Sequence, residues 1–148
     1  MTDHGTIAEA YFKQGYNCAQ SVLLAFGDLT GLEEETALRL SSSFGAGLGR
    51  MREVCGAVSG GAMALGLLKG NTDPDDREAK KAHYALIQDF AGRFRAVNGS
   101  IICRDLLKGT AATEGGAPEA RTQEYYRKRP CAALCRSAAR IIDKMLND

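Results

Sequence analysis

The sequence predicts an all-α protein, a single-domain helical bundle of about six to seven helices with a central helix rich in glycine and alanine. Three observations point there. Apolar residues recur three and four positions apart nearly throughout, while alternating apolar–polar runs are hard to find. Alanine and leucine dominate the apolar set and valine is scarce. Only three prolines interrupt the chain, Pro74, Pro118 and Pro130. The 148 residues amount to one domain, 1–148, with no composition break or internal repeat to divide them.

Each element has a local reason. The first helix is expected near Thr6 to Lys13, with Ile7, Ala10 and Tyr11 on one side and Gly15 ending it. Asn17 reads as the N-cap of a second helix carrying Cys18, Val22, Leu23, Ala25 and Phe26. Thr30 and Glu33 have the spacing of a capping box for a third, with Ala37, Leu38 and Leu40 following. A glycine-rich turn, Phe44 to Arg50, precedes a fourth helix that starts near Arg52–Cys55 and runs to about Leu68, with Gly70 as its stop. Asn71 to Pro74 is a turn, and Asp75 and Asp76 favour the start of the longest helix. Ala79, Ala82, Leu86, Phe90, Phe94 and Val97 form its core-facing stripe. Asn98-Gly99 breaks it, and Ser100 caps a short helix with Cys103, Leu106 and Leu107. Residues 109–119 read as a mobile loop. Pro130 suits the first position of the last helix, whose apolar side is Cys131, Leu134, Cys135, Ala138, Ile141, Ile142 and Met145.

Composition excludes several classes. With 45% hydrophobic and 25% charged residues, disorder does not describe the chain. Nineteen basic against eighteen acidic residues leave a formal charge of +1, too little to draw in nucleic acid or an anionic membrane surface. No apolar run approaches the ~20 residues that span a bilayer. The opening Met1-Thr-Asp-His-Gly lacks the basic-then-apolar order of a signal peptide. The expectation is a soluble cytoplasmic protein without nucleic-acid or membrane partners.

The cysteines carry the functional signal. There are five: Cys18, Cys55, Cys103, Cys131 and Cys135. An odd number without a signal peptide argues against a secreted disulfide framework. No Cys-x-x-Cys occurs, so the zinc-ribbon, thioredoxin and haem-attachment spacings are all absent. Placed on the helices above, Cys18, Cys55, Cys103 and Cys131 each fall in a first turn. Unpaired backbone N–H groups and the positive end of the helix dipole there favour a thiolate. Basic residues lie near three of them: Arg50 and Arg52, Arg104, and the run Arg127-Lys128-Arg129. Cys135 lies a turn further in and is expected to pack. The bland alternative is that all five are small buried hydrophobes.

The segment Cys55 to Gly66 crowds one helix with Gly56, Ala57, Ser59, Gly60, Gly61, Ala62 and Ala64. Interior glycine costs up to ~1 kcal/mol relative to alanine, and close approach of another backbone is the usual reason to tolerate it. This helix is therefore expected at the centre. Gly45, Gly47 and Gly49 lack the strand and spacing of a dinucleotide loop and read as a turn that positions Cys55. His4 and His83 are too few and too separated for a metal site. Glu33 to Glu35 read as a charged helix start, and Arg127 to Arg129 as a solvated run.

Asn17-Cys-Ala-Gln20, Phe44-Gly-Ala-Gly47, Cys55-Gly-Ala-Val-Ser-Gly60, Ser100-Ile-Ile-Cys-Arg-Asp-Leu-Leu107 and Cys131 resemble the C_GCAxxG_C_C family of redox-active proteins, over about residues 6–145. The resemblance implies that Cys18, Cys55, Cys103 and Cys131 are the family's four cysteines, with Cys135 at an aliphatic position. Covalent haem, found in related split-Soret cytochromes, is not implied, because Cys-x-x-Cys-His is absent.

Three functions compete. The first is thiol redox chemistry, needing no cofactor, in which a low-pKa Cys55 attacks a disulfide or oxidised sulfur and Cys18 resolves, with Cys103 and Cys131 as a second pair. Its partner would be a protein or a small thiol, and a homodimer is compatible with it. The second is a metal centre, zinc or iron–sulfur, held by Cys18, Cys55, Cys103 and Cys131. The third is a non-enzymatic helical interaction module with inert cysteines.

Overall fold

A computed structural model describes residues 2–148. It is all-α in the order α1 (His4–Lys13), α2 (Cys18–Ala25), α3 (Gly27–Thr30), α4 (Glu34–Ser42), α5 (Gly45–Leu48), α6 (Gly56–Lys69), α7 (Arg77–Asn98), α8 (Cys103–Leu106), α9 (Gln123–Lys128) and α10 (Cys131–Asn147). No strand occurs among the described residues. The one extended pairing there is an isolated antiparallel bridge between Val54 and Ile102. No described helix is long and apolar enough to cross a membrane.

The core lies where α2, α6 and α10 meet, with α1 against α2 and α10 and α7 against α6 and α10. Phe12, Phe26, Phe90, Phe94, Leu23, Leu65 and Ile142 are fully buried there. Each such side chain contributes about 1.5–3 kcal/mol of transfer free energy. The glycine-rich α6 is central for the reason its composition suggests. A Cβ at Gly60 would come within 2.4 Å of the Ala19 carbonyl oxygen, so α2 and α6 touch backbone to backbone. The Asn17 cap also forms as expected, with Gln20 closing a reciprocal capping box.

Several boundaries differ from the sequence reading. Helix α1 starts two residues earlier, because Asp3 Oδ1 accepts from the N–H groups of Gly5 and Thr6 at 3.0 and 3.2 Å. The Thr30–Glu33 capping box does not form. Thr30 ends the separate turn α3, its hydroxyl accepts from Leu32 N–H, and Glu33 caps α4 without a side-chain bond. Ser100 is not a cap either. Ile102 holds that position, while Ser100 Oγ accepts from Ile102 N–H and donates to Asp105. Pro130 is the N-cap of α10 and not its first helical residue. Leu40 and Val97, placed on apolar stripes by period alone, are exposed because nothing packs over those helix ends. Helix α9, capped by Thr122, was not anticipated in a segment too short to show a period.

The glycine-rich turn is the least ordinary piece of backbone. Ala46, Gly47, Leu48, Gly49 and Arg50 all have positive φ, as does Arg52. Side chains in left-handed conformation cost roughly 1–2 kcal/mol each relative to right-handed helix, so four non-glycine residues here store strain. Loop 109–119, expected to be mobile, is tied to this turn. Arg50 Nε donates to Gly115 O at 2.8 Å, Gly115 N–H donates to Arg50 O at 2.9 Å, and Arg52 Nε donates to Thr113 O at 3.0 Å.

Candidate functional site

Four helix starts converge. Cys18, Cys103 and Cys131 are the first residues of α2, α8 and α10, and Cys55 is the N-cap of α6. All four line one cavity of about 340 Å³. The fold thus gathers the cysteines singled out from sequence, and all five are buried free thiols.

Backbone contacts set their places. The bridge between Val54 and Ile102 lays residues 52–55 antiparallel to 101–104. Cys55 N–H donates to Ile101 O at 2.7 Å, and Cys103 N–H donates to Glu53 O at 2.6 Å. Cys18 is held by the Asn17 cap, whose side-chain Nδ2 also donates to Ser42 O at 3.1 Å. At Gly47 a Cβ would lie 2.7 Å from both the Arg52 Cα and the Cys103 Cβ, so the left-handed turn packs directly on the Cys103 segment.

Among the thiols, Cys18 couples most strongly to Cys131 and Cys135, and of these Cys131 shares the cavity wall with it. Cys55 faces Cys103 and Cys131 at longer range. Cys135 is fully buried and directs its thiol toward Cys18 O at 3.9 Å, which agrees with a packing role.

The expected low-pKa thiolate is not what burial produces. Desolvation pushes Cys55 up to about 12, against the opposing N–H groups of Ala57 and Val58. Cys131 is raised by its coupling to Cys18 and then by burial. On Cys18 the Cys131 coupling favours the thiolate, but Cys135 and burial outweigh it and the thiol stays well above its ordinary value. Cys103 is also raised by burial, though Arg52 opposes the shift by donating from Nη1 to its sulfur at 3.7 Å. At Cys55 burial outweighs the backbone N–H groups that the start of α6 aims at its sulfur.

Sequence reasoning missed part of the polar wall and how it closes on the cavity. Arg129, assigned to a solvated run, has its side chain tucked out of solvent and pairs with Glu119. Glu119 also faces Arg50 at 3.5 Å and Arg52 at 3.8 Å, and the Arg129 partnership holds its carboxyl below the usual range. Arg121 donates to Phe12 O and Tyr16 O and lies 4.1 Å over the Phe12 ring. Tyr125 borders the cavity and is pushed up to about 12, chiefly by burial. The sequence did place Arg50, Arg52 and the Arg127–Arg129 run near the cysteines, whereas nothing in it marked Glu119, Arg121 or Tyr125. His4 was missed as well. It is buried, stacks on Phe26, and bridges Asp143 (Nδ1, 2.5 Å) and Asp28 (Nε2, 2.9 Å), outside the cavity.

A metal centre does not match this arrangement. Among the described residues no three His, Cys, Asp or Glu side chains are grouped so that they could hold a metal ion. Zinc–sulfur bonds of ~2.3 Å would require the sulfurs in one small sphere, and sharing a cavity wall is a looser condition.

The fold and site define a class: a helical bundle whose helix starts deliver thiols to one arginine-walled cavity. Residues 16–145 match the family described as "Putative redox-active protein (C_GCAxxG_C_C)", and the chain belongs to that family. Comparisons with curated proteins and with solved structures found no match.

Proposed function

We propose that the protein performs thiol–disulfide exchange with Cys18 and Cys131 as its redox pair. The observation that carries this reading is that Cys18 and Cys131, the first residues of α2 and α10, line the same cavity and shift each other's titration. The family description supports redox activity in general.

The chemistry balances without a cofactor. Cys18 gives up its proton and its sulfur attacks one sulfur of a substrate disulfide RS–SR′. A mixed disulfide Cys18–S–S–R forms, and R′S⁻ leaves and takes the proton. Cys131 then attacks the Cys18 sulfur, and RS⁻ departs with the second proton. Two protein thiols and one substrate disulfide become one protein disulfide and two free thiols. A small thiol pair resets the protein by the same two exchanges in reverse, as the reducing cytoplasm, where we place it, would allow. Cys55 and Cys103 serve as a second dithiol on the same cavity.

Cysteine burial makes the resting form a thiol, so exchange at neutral pH is slow until substrate is held against it. Treating reduced protein with hydroxyethyl disulfide and mapping non-reduced peptides by mass spectrometry tests the reading. A Cys18–Cys131 bond should accumulate first. Thiols that stay reduced, or a first bond between other cysteines, would overturn it.

A further inference from the structure

We infer that the cavity is built to bind a small carboxylate-bearing ligand, with Arg52 as its anchor, and that the disulfides the protein exchanges with are of this anionic kind. The anion site stands on the arginines, while its use in exchange rests on the thiol reading above.

The charge balance of the wall comes first. Arg50, Arg52, Arg121 and Arg129 line the cavity against a single carboxylate, Glu119. Burial holds the thiols protonated, so they add little negative charge. Buried guanidinium groups need compensation, and here it comes largely from neutral carbonyls. Arg121 donates to Phe12 O and Tyr16 O, and Arg50 to Gly115 O and Thr113 O.

Arg52 is left with capacity to spare. It is only 6% exposed. Its Nε donates to Thr113 O and its Nη1 to the Cys103 sulfur. Its buried Nη2 has no hydrogen-bond partner, and Glu119 Oε1 stands off at 3.8 Å. An unspent buried donor on a cation matches a carboxylate oxygen, for which the planar guanidinium fork is suited. Arg50 and Arg52 both sit in left-handed backbone, a strained conformation that a binding site can exploit to place two cations.

Burial sets the size of the ligand. Each cysteine on the wall is at most 8% exposed, so the disulfide of a folded protein cannot present its sulfurs in line with them. A cavity of about 340 Å³ admits a small molecule. A carboxylate on Arg52 would lie beside the Cys103 sulfur that Arg52 touches, in the same cavity whose wall carries Cys18 and Cys131.

Suberate, the carbon isostere of dithiodipropionate, tests the site without redox chemistry. By calorimetry it should bind the reduced protein, weaken as salt rises, and outcompete neutral octanediol. Arg52→Gln should lower suberate affinity at least tenfold and Arg52→Lys less. Equal binding of suberate and octanediol, no suberate binding, or full affinity in a folded Arg52→Gln protein would overturn the proposal. The wild-type comparison decides even if the variants do not fold. Thiol loss is followed in parallel with dithiodipropionate and hydroxyethyl disulfide. Suberate binding without thiol loss to either disulfide removes the exchange reading and leaves the anion site. Equal thiol loss to both disulfides without suberate binding removes the anion site and leaves exchange.

Discussion

Arg52 Nη1 donates to the Cys103 sulfur at 3.7 Å. This contact sets Cys103 apart from Cys55, whose sulfur is opposed only by backbone N–H groups and stays near 12. Replacing Arg52 with Gln removes the charge that favours the Cys103 thiolate. Iodoacetamide labelling of Cys103, resolved by peptide mass spectrometry, should slow about tenfold at pH 8. Labelling that stays constant or speeds up would show that the guanidinium does not tune this sulfur.

Stability should fall in alkali. All five thiols are shifted upward in the folded protein, Cys55 to about 12. In the unfolded chain they ionise near 8.5. Below about 8.5 both states hold these protons and the contribution is fully present. Above it the unfolded chain releases protons that the folded protein keeps, so folding loses about 1.4 kcal/mol per pH unit per thiol until the folded value is reached. Urea midpoints should be level from pH 7 to about 8.5 and then drop, less steeply in Cys55→Ala. A midpoint unchanged to pH 10 would contradict the burial argument.

Two glycines of α6 should answer substitution oppositely. A Cβ at Gly60 meets the Ala19 backbone at 2.4 Å, whereas at Gly66 nothing lies within 4 Å. Gly60→Ala has to push α2 away and should cost 2 kcal/mol or more, in the range of overpacked cores. Gly66→Ala should stabilise by about 0.5–1 kcal/mol through helix propensity. Thermal unfolding of both variants separates close approach from mere composition.

His4 joins three elements at once, with Asp28 on α3, Asp143 on α10 and the Phe26 ring stacked at 4.3 Å. His4→Leu keeps the bulk, removes the imidazole from Asp28 and leaves Asp143 only the backbone N–H of residue 4. A loss of about 1–2 kcal/mol is expected by denaturant titration. Because the cluster lies outside the cavity, disulfide formation in the folded variant should proceed as in wild type.

Much of the fold was legible because it is local. Asn17 is a cap through bonds to Gln20, three residues away, and the 3.6-residue period of α7 and α10 shows in single windows. The boundaries that failed did so where a competing partner was also close. Thr30 bonds Leu32 instead of opening α4, and Ser100 bonds Ile102 and Asp105 instead of capping α8.

From the chain alone came the helical class, the small-residue helix at the centre and the placing of Cys18, Cys55, Cys103 and Cys131 at helix starts. These follow from side-chain period and backbone hydrogen bonding between near neighbours. Only the tertiary structure decided that Cys18 and Cys131 share one cavity, that Arg52 and Arg129 turn inward, and that the thiols titrate upward. Each of those depends on burial and on contacts between residues far apart in the chain, and desolvation acts on a sulfur only once the surrounding helices have excluded water from it.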